Sequence, residues 1–411
     1  MPHVRYRNSN DECKVVFKMN QLQDLDLNNK KVFIRSDLNV PIKSGQITST
    51  KRIEASLPTI THCLRMGAKV MVTSHLGRPN EGEYNPEFSL LPIVKFLENH
   101  FKKKINLIKE WPVQKINVGS GELVVLENCR FNQGESENDQ NLAKQYASLA
   151  DIFVMDAFGT AHRKQASTYG IAQFCDQVCA GKLFSSELEA LQKVMSNPKS
   201  PMVAIVGGSK VSTKLSILDS LSDKVDQLIL GGGIANTFLK AQGFNIGNSL
   251  YEKDFIDSAK KIIQKLESRG GSLPLVTDVI CAKEFNENET AVKKNINDLE
   301  SSDMIFDLGP ETMKGIEDTI KKSQTILWNG PIGVFEFDQF SKGTETLAHS
   351  IANAIAFSLV GGGDTIAALE KFGMLKNMSY ISTAGGAFLE FVEGKKLPAI
   401  EILEKRSTIE H

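Results

Sequence analysis

The chain has 411 residues, 41% of them apolar and 24% charged, with 48 basic and 49 acidic side chains for a net charge of -1. That balance is of an ordinary globular protein and supplies no global field to recruit nucleic acid or an anionic membrane; no apolar run approaches the roughly 20 residues needed to span a bilayer. At about 150 residues per domain the length predicts two domains, and six scattered cysteines (Cys13, Cys63, Cys129, Cys175, Cys179, Cys281) without CxxC pairing fit a reducing, cytoplasmic setting.

Residues 1–18 are polar, carry Asp11 and Glu12 and lack the apolar core of a signal peptide, so they read as an extension, with Met19 an alternative start. KVFIR, residues 31–35, is the first strand signal. In residues 47–67, Ile53, Leu57, Ile60 and Leu64 recur at helical spacing, with Pro58 as an interruption and Gly67 as the end. A strand at 68–73 runs into SHLGRP, and residues 90–100 read as a helix with Ser89 as cap and Pro92 in the first turn. Strands at 122–126 and 151–155 run into ENCRF and DAFGTAHR, with a helix at 143–150 between them. Cys175 and Cys179, four apart, have the spacing of one helix face and read as buried thiols.

After a helix at 184–195, SNPKSP (residues 196–201) reads as a linker or hinge. Beyond it come MVAIVGGSK, QLILGGG, TILWNGPIG, FSLVGGGDT and SYISTAGG. Strands alternating with helices predict an α/β protein: two Rossmann-like domains, each a parallel sheet covered by helices, joined by a hinge. The boundary is expected at 185/186, within a transition running to residue 201.

The two halves divide the chemistry. Strand ends in the first half carry Arg35, Arg78, Arg130 and Arg163, with Asp37, Asn39 and His75. Ligands of open α/β sheets bind beyond the carboxyl ends of the strands, so a convergent guanidinium cluster predicts a small polyanionic substrate. Strand ends in the second half carry glycines: Gly207 and Gly208, Gly231 to Gly233, Gly330 and Gly333, Gly361 to Gly363. Backbone amides there suit the phosphates and flat base of a nucleotide, with Lys210 and Lys214 adding charge and Asp364 able to face a divalent cation. No GxxxxGK[ST], HRD, DFG or GxSxG pattern occurs, and GGGIANTF breaks GxGxxG at Asn236. On these features a nucleotide-dependent oxidoreductase or a non-catalytic nucleotide-binding module stays open beside a phosphotransferase.

The ordered segments VFIRSDLNVP, SHLGRP, LENCRF, DAFGTAHR, GGSKVSTK, GGGIANTF, WNGPIGVFEF, GGGDT and STAGGAFLEFVEGK closely resemble the phosphoglycerate kinases, from about residue 25 to the C-terminus. The resemblance implies reversible, magnesium-dependent phosphoryl transfer between 1,3-bisphosphoglycerate and ADP, giving 3-phosphoglycerate and ATP, by a hinge-bending cytoplasmic monomer of glycolysis and gluconeogenesis. It implies a 3-phosphoglycerate domain at 1–185, with a tail from about 393 packing back on it, and a nucleotide domain at 186–392. Asp37, Leu38, Asn39, Arg52, His75, Leu76, Gly77, Arg78, Arg130 and Arg163 match substrate positions. Gly208, Lys210, Lys214, Gly232, Asn329, Pro331, Glu336, Gly362, Gly363, Asp364 and Thr365 match nucleotide positions. Arg52, Lys210 and Gly361, Gly362 and Gly363 match catalytic positions, and Asp364 the magnesium carboxylate. Ala384 stands at the first glycine of the family's STGGG, so a Cβ is expected where close approach or positive φ is wanted.

Overall fold

The computed structural model describes residues 18–113 and 116–407; the expectations for the N-terminal extension, and Cys13 with it, fall outside this range. Six parallel strands form the first sheet, in spatial order Asn106–Ile108, Leu123–Leu126, Lys69–Thr73, Lys31–Ser36, Ile152–Asp156 and Gln177–Ala180. Five parallel strands form the second: Gln227–Gly231, Met202–Gly207, Thr325–Asn329, Phe357–Gly361 and Tyr380–Ser382. Their central strands are buried along nearly their whole length, because helices cover both faces and leave no solvent side to call for a polar alternate residue.

In each sheet the first strand in sequence lies between neighbours reached in opposite directions. Ile34 is paired with Val72 on one side and Val154 on the other, and Ile205 with Ile229 and Trp328. The crevice at such a switch point opens beyond the carboxyl ends of the strands, where Ser36–Asp37 and Gly207–Gly208 stand.

Several local expectations are corrected. Pro58 does not interrupt its helix: Lys51–Arg65 is continuous around it, because only one intrahelical donor is lost while Ile53, Ile60 and Cys63 bury the inner face. The helix begins at Lys51 rather than at Ile47, which instead ends a two-stranded hairpin, Ile42–Lys43 with Gln46–Ile47, so Arg52 lies in the first helical turn. Cys175 and Cys179 are both buried but share no helix face; one ends the short helix Ile171–Phe174 and the other lies in the strand Gln177–Ala180. An antiparallel sheet, in order Val292–Asn295, Asp278–Ala282, Met304–Leu308, has no counterpart in the sequence reading. Its edge strand VKKN is too polar to signal burial.

The helix Lys182–Met195 packs on Ile152–Asp156 of the first sheet and on Thr325–Asn329 and Phe357–Gly361 of the second. Phe184, Leu188, Leu191 and Val194 are buried along it, each contributing about 1.5–3 kcal/mol as an upper bound. Asp156 caps its start, accepting from the amides of Leu183 (2.9 Å) and Phe184 (3.3 Å). The segment SNPKSP after it is laced to the second sheet: the Lys199 amide donates to Thr325 Oγ1 at 3.0 Å and Gln324 N to Pro201 O at 2.8 Å. The C-terminal helix Pro398–Ser407 packs against the first half, where the Arg406 guanidinium donates to the carbonyls of Gln173, Cys175 and Asp176.

Candidate active site

The first-half cluster is assembled from four strand ends and one helix start. The Arg52 guanidinium donates to Asp37 Oδ1 and to the Asn39 carbonyl, both at 3.2 Å. Asn39 Oδ1 accepts from the Gly77 amide at 2.9 Å, and Arg130 donates to the Gly77 carbonyl. Arg78 is exposed, Arg130 and Arg163 half-buried and His75 buried. The structure thus brings Asp37, Asn39, Arg52, His75, Gly77, Arg130 and Arg163 to one place, with Arg78 at its rim. Leu38 and Leu76 turn their side chains into the core, so only their backbones are near the cluster.

The cations press on one another. Burial, then Arg163, lowers the Arg130 pKa; burial, then Arg35, lowers that of Arg163. Burial first, and then Arg35, Arg130, Arg163 and Arg52, hold His75 well below the usual imidazole range. His75 Nδ1 lies 3.3 Å from the Arg35 guanidinium. Arginine can only donate, so Nδ1 accepts and the imidazole proton sits on Nε2.

Arg35 itself departs from its expected place. It is fully buried and points inward, donating through Nε to Ser167 Oγ at 2.9 Å and through a terminal nitrogen to the Ser36 carbonyl. Ser167 Oγ in turn donates to the buried carboxylate of Glu135 at 2.5 Å, which also accepts from the Ser167 amide and from Tyr146. Sequence reasoning missed Glu135 and Ser167; Glu135 sits in the polar loop NQGESEN, where nothing marks a buried acid.

In the second half the glycines serve two separate ends. A Cβ on Gly207 would lie 1.8 Å from the Pro331 carbonyl oxygen, and one on Gly231 2.3 Å from Ile332 Cα. One on Gly233 would lie 2.2 Å from the Ser209 carbonyl oxygen. These are contacts of backbone with backbone, so these three glycines are required by close packing at the strand ends. Gly208, Gly232, Gly330 and Gly362 have φ of +152°, +64°, +106° and +99°, and turn the chain at the strand ends.

The last turn is fixed from below. The Gly361 carbonyl accepts from Asn329 Nδ2 at 2.8 Å and from Thr365 Oγ1 at 3.0 Å, and Thr365 Oγ1 accepts from the Gly330 amide at 2.7 Å. Lys214 donates to Asn329 Oδ1, so the Asn329 amide is engaged at both ends. Burial lowers the Lys214 pKa while Asp364 and Glu393 oppose the shift. Gly363, Asp364, Lys210 and Glu336 are exposed, Pro331 half-buried. No cluster of three or more metal-ligating side chains occurs among the described residues. The lone carboxylate of Asp364 fits a hard cation that completes its shell with phosphate and water, as magnesium does.

Contacts join the halves around this space. Lys51, next to Arg52 at its helix start, pairs with Glu370 on the helix Gly363–Lys371 that carries Asp364. Glu187 accepts from the Thr383 amide at 2.9 Å and its hydroxyl at 3.1 Å. Ala384 follows with no positive φ, its methyl buried in the core shared by both halves; Gly385, at φ +53°, makes the turn instead. The expected strain at Ala384 is therefore absent.

Two helix-covered parallel sheets, with cationic side chains at the strand ends of one and backbone amides at those of the other, form a layout that suits a small-molecule phosphotransferase. The model of the family "Phosphoglycerate kinase" matches residues 22–395. A phosphoglycerate kinase of Vibrio campbellii is 57% identical over 387 residues, covering 94% of this chain and 99% of that protein. Among solved structures, phosphoglycerate kinase from Coxiella burnetii superposes with a TM-score of 0.92 at 53% identity, covering 95% of this chain and all of that one. The enzyme from Pyrococcus horikoshii gives 0.79 at 30% identity, covering 96% and 100%. This chain belongs to the phosphoglycerate kinase family; it is a phosphotransferase of glycolysis.

Proposed function

We propose that the chain transfers a phosphoryl group reversibly between the acyl phosphate of 1,3-bisphosphoglycerate and ADP, on a site shared by the two clusters described above. Asp37, Asn39, His75, Arg78, Arg130 and Arg163 hold the triose phosphate, and Gly208, Gly232, Pro331, Glu336 and Thr365 the nucleotide. The observation that carries the reading is the gathering of Arg52, Arg130, Arg163 and His75 at the strand ends of the first half; the Lys51–Glu370 pair lies between the helix start bearing Arg52 and the helix bearing Asp364.

Phosphoryl transfer needs in-line alignment and cancellation of charge on the equatorial oxygens more than covalent help. Arg52 supplies charge from the triose side; Lys210 and the amides of Gly361, Gly362 and Gly363 supply it from the nucleotide side. Magnesium, when bound through Asp364, neutralises nucleotide phosphate charge. In the ATP-forming direction the leaving carboxylate needs no general base, in keeping with a His75 held neutral at an arginine.

The domains are 1–185 and 186–392; they close over the substrates and exclude water. The working form is a cytoplasmic monomer, and among the described residues no helix is long and apolar enough to cross a membrane. A coupled assay of ATP formation from 1,3-bisphosphoglycerate and ADP, with and without magnesium, tests the reading. Turnover that requires magnesium is expected; nucleotide binding without turnover would leave a binding module in its place.

A further inference from the structure

The loop over residues 330–340 carries Pro331 and Glu336, and it has no regular strand or long helix of its own to hold it. Beneath it lies Asp307, at the end of the strand Met304–Leu308 in the antiparallel sheet, only 2% exposed. One carboxylate oxygen accepts from the Gly343 amide at 2.6 Å, at the start of the helix Lys342–Asn353; the other accepts from the Leu308 amide at 2.9 Å. Two glycines make room for it. A Cβ on Gly333 would lie 2.2 Å from Asp307 Oδ1, and one on Gly343 2.3 Å from the same oxygen.

Around that carboxylate the loop is stitched at neighbouring points. The Gly333 amide donates to Thr344 Oγ1 at 3.1 Å, and the Val334 amide to the Phe306 carbonyl at 2.9 Å. Farther along, Lys371 donates to the Phe335 carbonyl at 2.8 Å. Asp307 is thus where the strand, the loop and the following helix meet. Among the described residues no ion pair holds it; burying a carboxylate on two amides is unfavourable unless the geometry it fixes is kept.

We propose that Asp307 is a positioning residue for the nucleotide half-site: by anchoring Gly343 and filling the hollow at Gly333, it sets where Pro331 and Glu336 meet the nucleotide. This rests on the reading that the 330–340 loop contacts the nucleotide. Asp307 touches no substrate in this account and acts through the loop alone. Its loss therefore alters nucleotide affinity selectively, whereas a merely structural residue would lower stability and leave both Michaelis constants unchanged.

The test compares Asp307→Ala, Asp307→Asn and Gly333→Ala in the full chain, with Glu336→Ala as the check on the loop itself. Steady-state KM for ADP and for 1,3-bisphosphoglycerate are measured with kcat, and ADP affinity by calorimetry. Asp307→Ala and Gly333→Ala are expected to raise KM and Kd for ADP about 10-fold, the size of one lost contact of about 1.4 kcal/mol, with the triose KM within 2-fold. Asp307→Asn keeps the shape and one acceptor and is expected to recover part of the loss. If Asp307→Ala does not fold, Gly333→Ala and Asp307→Asn carry the decision. Equal changes in both KM values, or none in either while Glu336→Ala weakens ADP, would overturn the proposal. An unchanged ADP affinity in Glu336→Ala as well would instead remove the loop from the nucleotide site.

Discussion

Replacing Arg35 by Met tests the buried network behind the triose side. Met has similar length and no charge, so the change removes the cation from a fully buried position while leaving its volume largely filled. Arg35 and Glu135 do not touch: Ser167 Oγ lies between them, 2.9 Å from one and 2.5 Å from the other. Burial raises the Glu135 pKa, and Arg35 is the foremost group opposing that shift. With Arg35 gone, Glu135 is left as an uncompensated buried charge, a change that costs about 3–5 kcal/mol. The carboxyl can relieve this by staying protonated, which moves its folded pKa further above the unfolded value near 4.5. A raised folded pKa gives stability that is complete below the unfolded pKa and lost as pH rises through the folded one, so the deficit of Arg35→Met is larger at pH 8 than at pH 5.5. Urea unfolding at the two pH values measures it. Adding Glu135→Gln should return about 1–3 kcal/mol as a coupling energy. A loss below about 1 kcal/mol at pH 8, equal at both pH values and additive with Glu135→Gln, would refute the account.

Three further outcomes are expected. Arg52→Ala loses about 10²-fold or more in kcat with modest change in KM, as for lost transition-state charge stabilisation; a raised KM at unchanged kcat would make Arg52 a binding residue only. Gly207→Ala, whose Cβ would meet the Pro331 carbonyl at 1.8 Å, costs about 3 kcal/mol or more in urea unfolding, whereas Gly315→Ala, in a helix with open space around it, stabilises by about 0.5–1 kcal/mol; similar effects at both positions would contradict the close-approach reading. Burial pushes the Asp156 carboxyl up to about 7 from 3.8, so its contribution is present below about pH 4 and lost as pH rises through 7. Across that window the stability of the parent falls relative to Asp156→Asn by up to about 1.4 kcal/mol per pH unit, and parallel stability curves would show that Asp156 does not titrate there.

The parallel sheets and the cationic cluster were legible because each rests on a pattern the chain states locally. Apolar runs of strand length alternate with helical spacing, and arginines recur just beyond the runs. What was not legible depends on direction and on distance. Arg35 lies one residue inside its strand end, so the alternation of the strand turns it into the core towards Ser167 and Glu135, where spacing alone put it on the open face. Asp307 and Glu135 lie in stretches with no motif, and only the fold shows that they are buried.

The glycines mark the limit most sharply, because a glycine that admits a ligand and one that admits another backbone are the same letter. Gly207 is pressed on the Pro331 carbonyl and Gly231 on Ile332, while Gly208 and Gly232, the very next residues, hold positive φ. Within each pair the first glycine lets the strand end approach its neighbour, and the second turns the chain away at the edge of the crevice. A side chain at Gly207 would therefore push away the turn at Pro331. The same division governs Gly361, whose Cβ would meet the Phe388 ring at 2.9 Å, against Gly363, whose Cβ would have nothing within 4 Å. In the GGGDT turn the first glycine is required by its packing against Phe388 and the second by its φ of +99°.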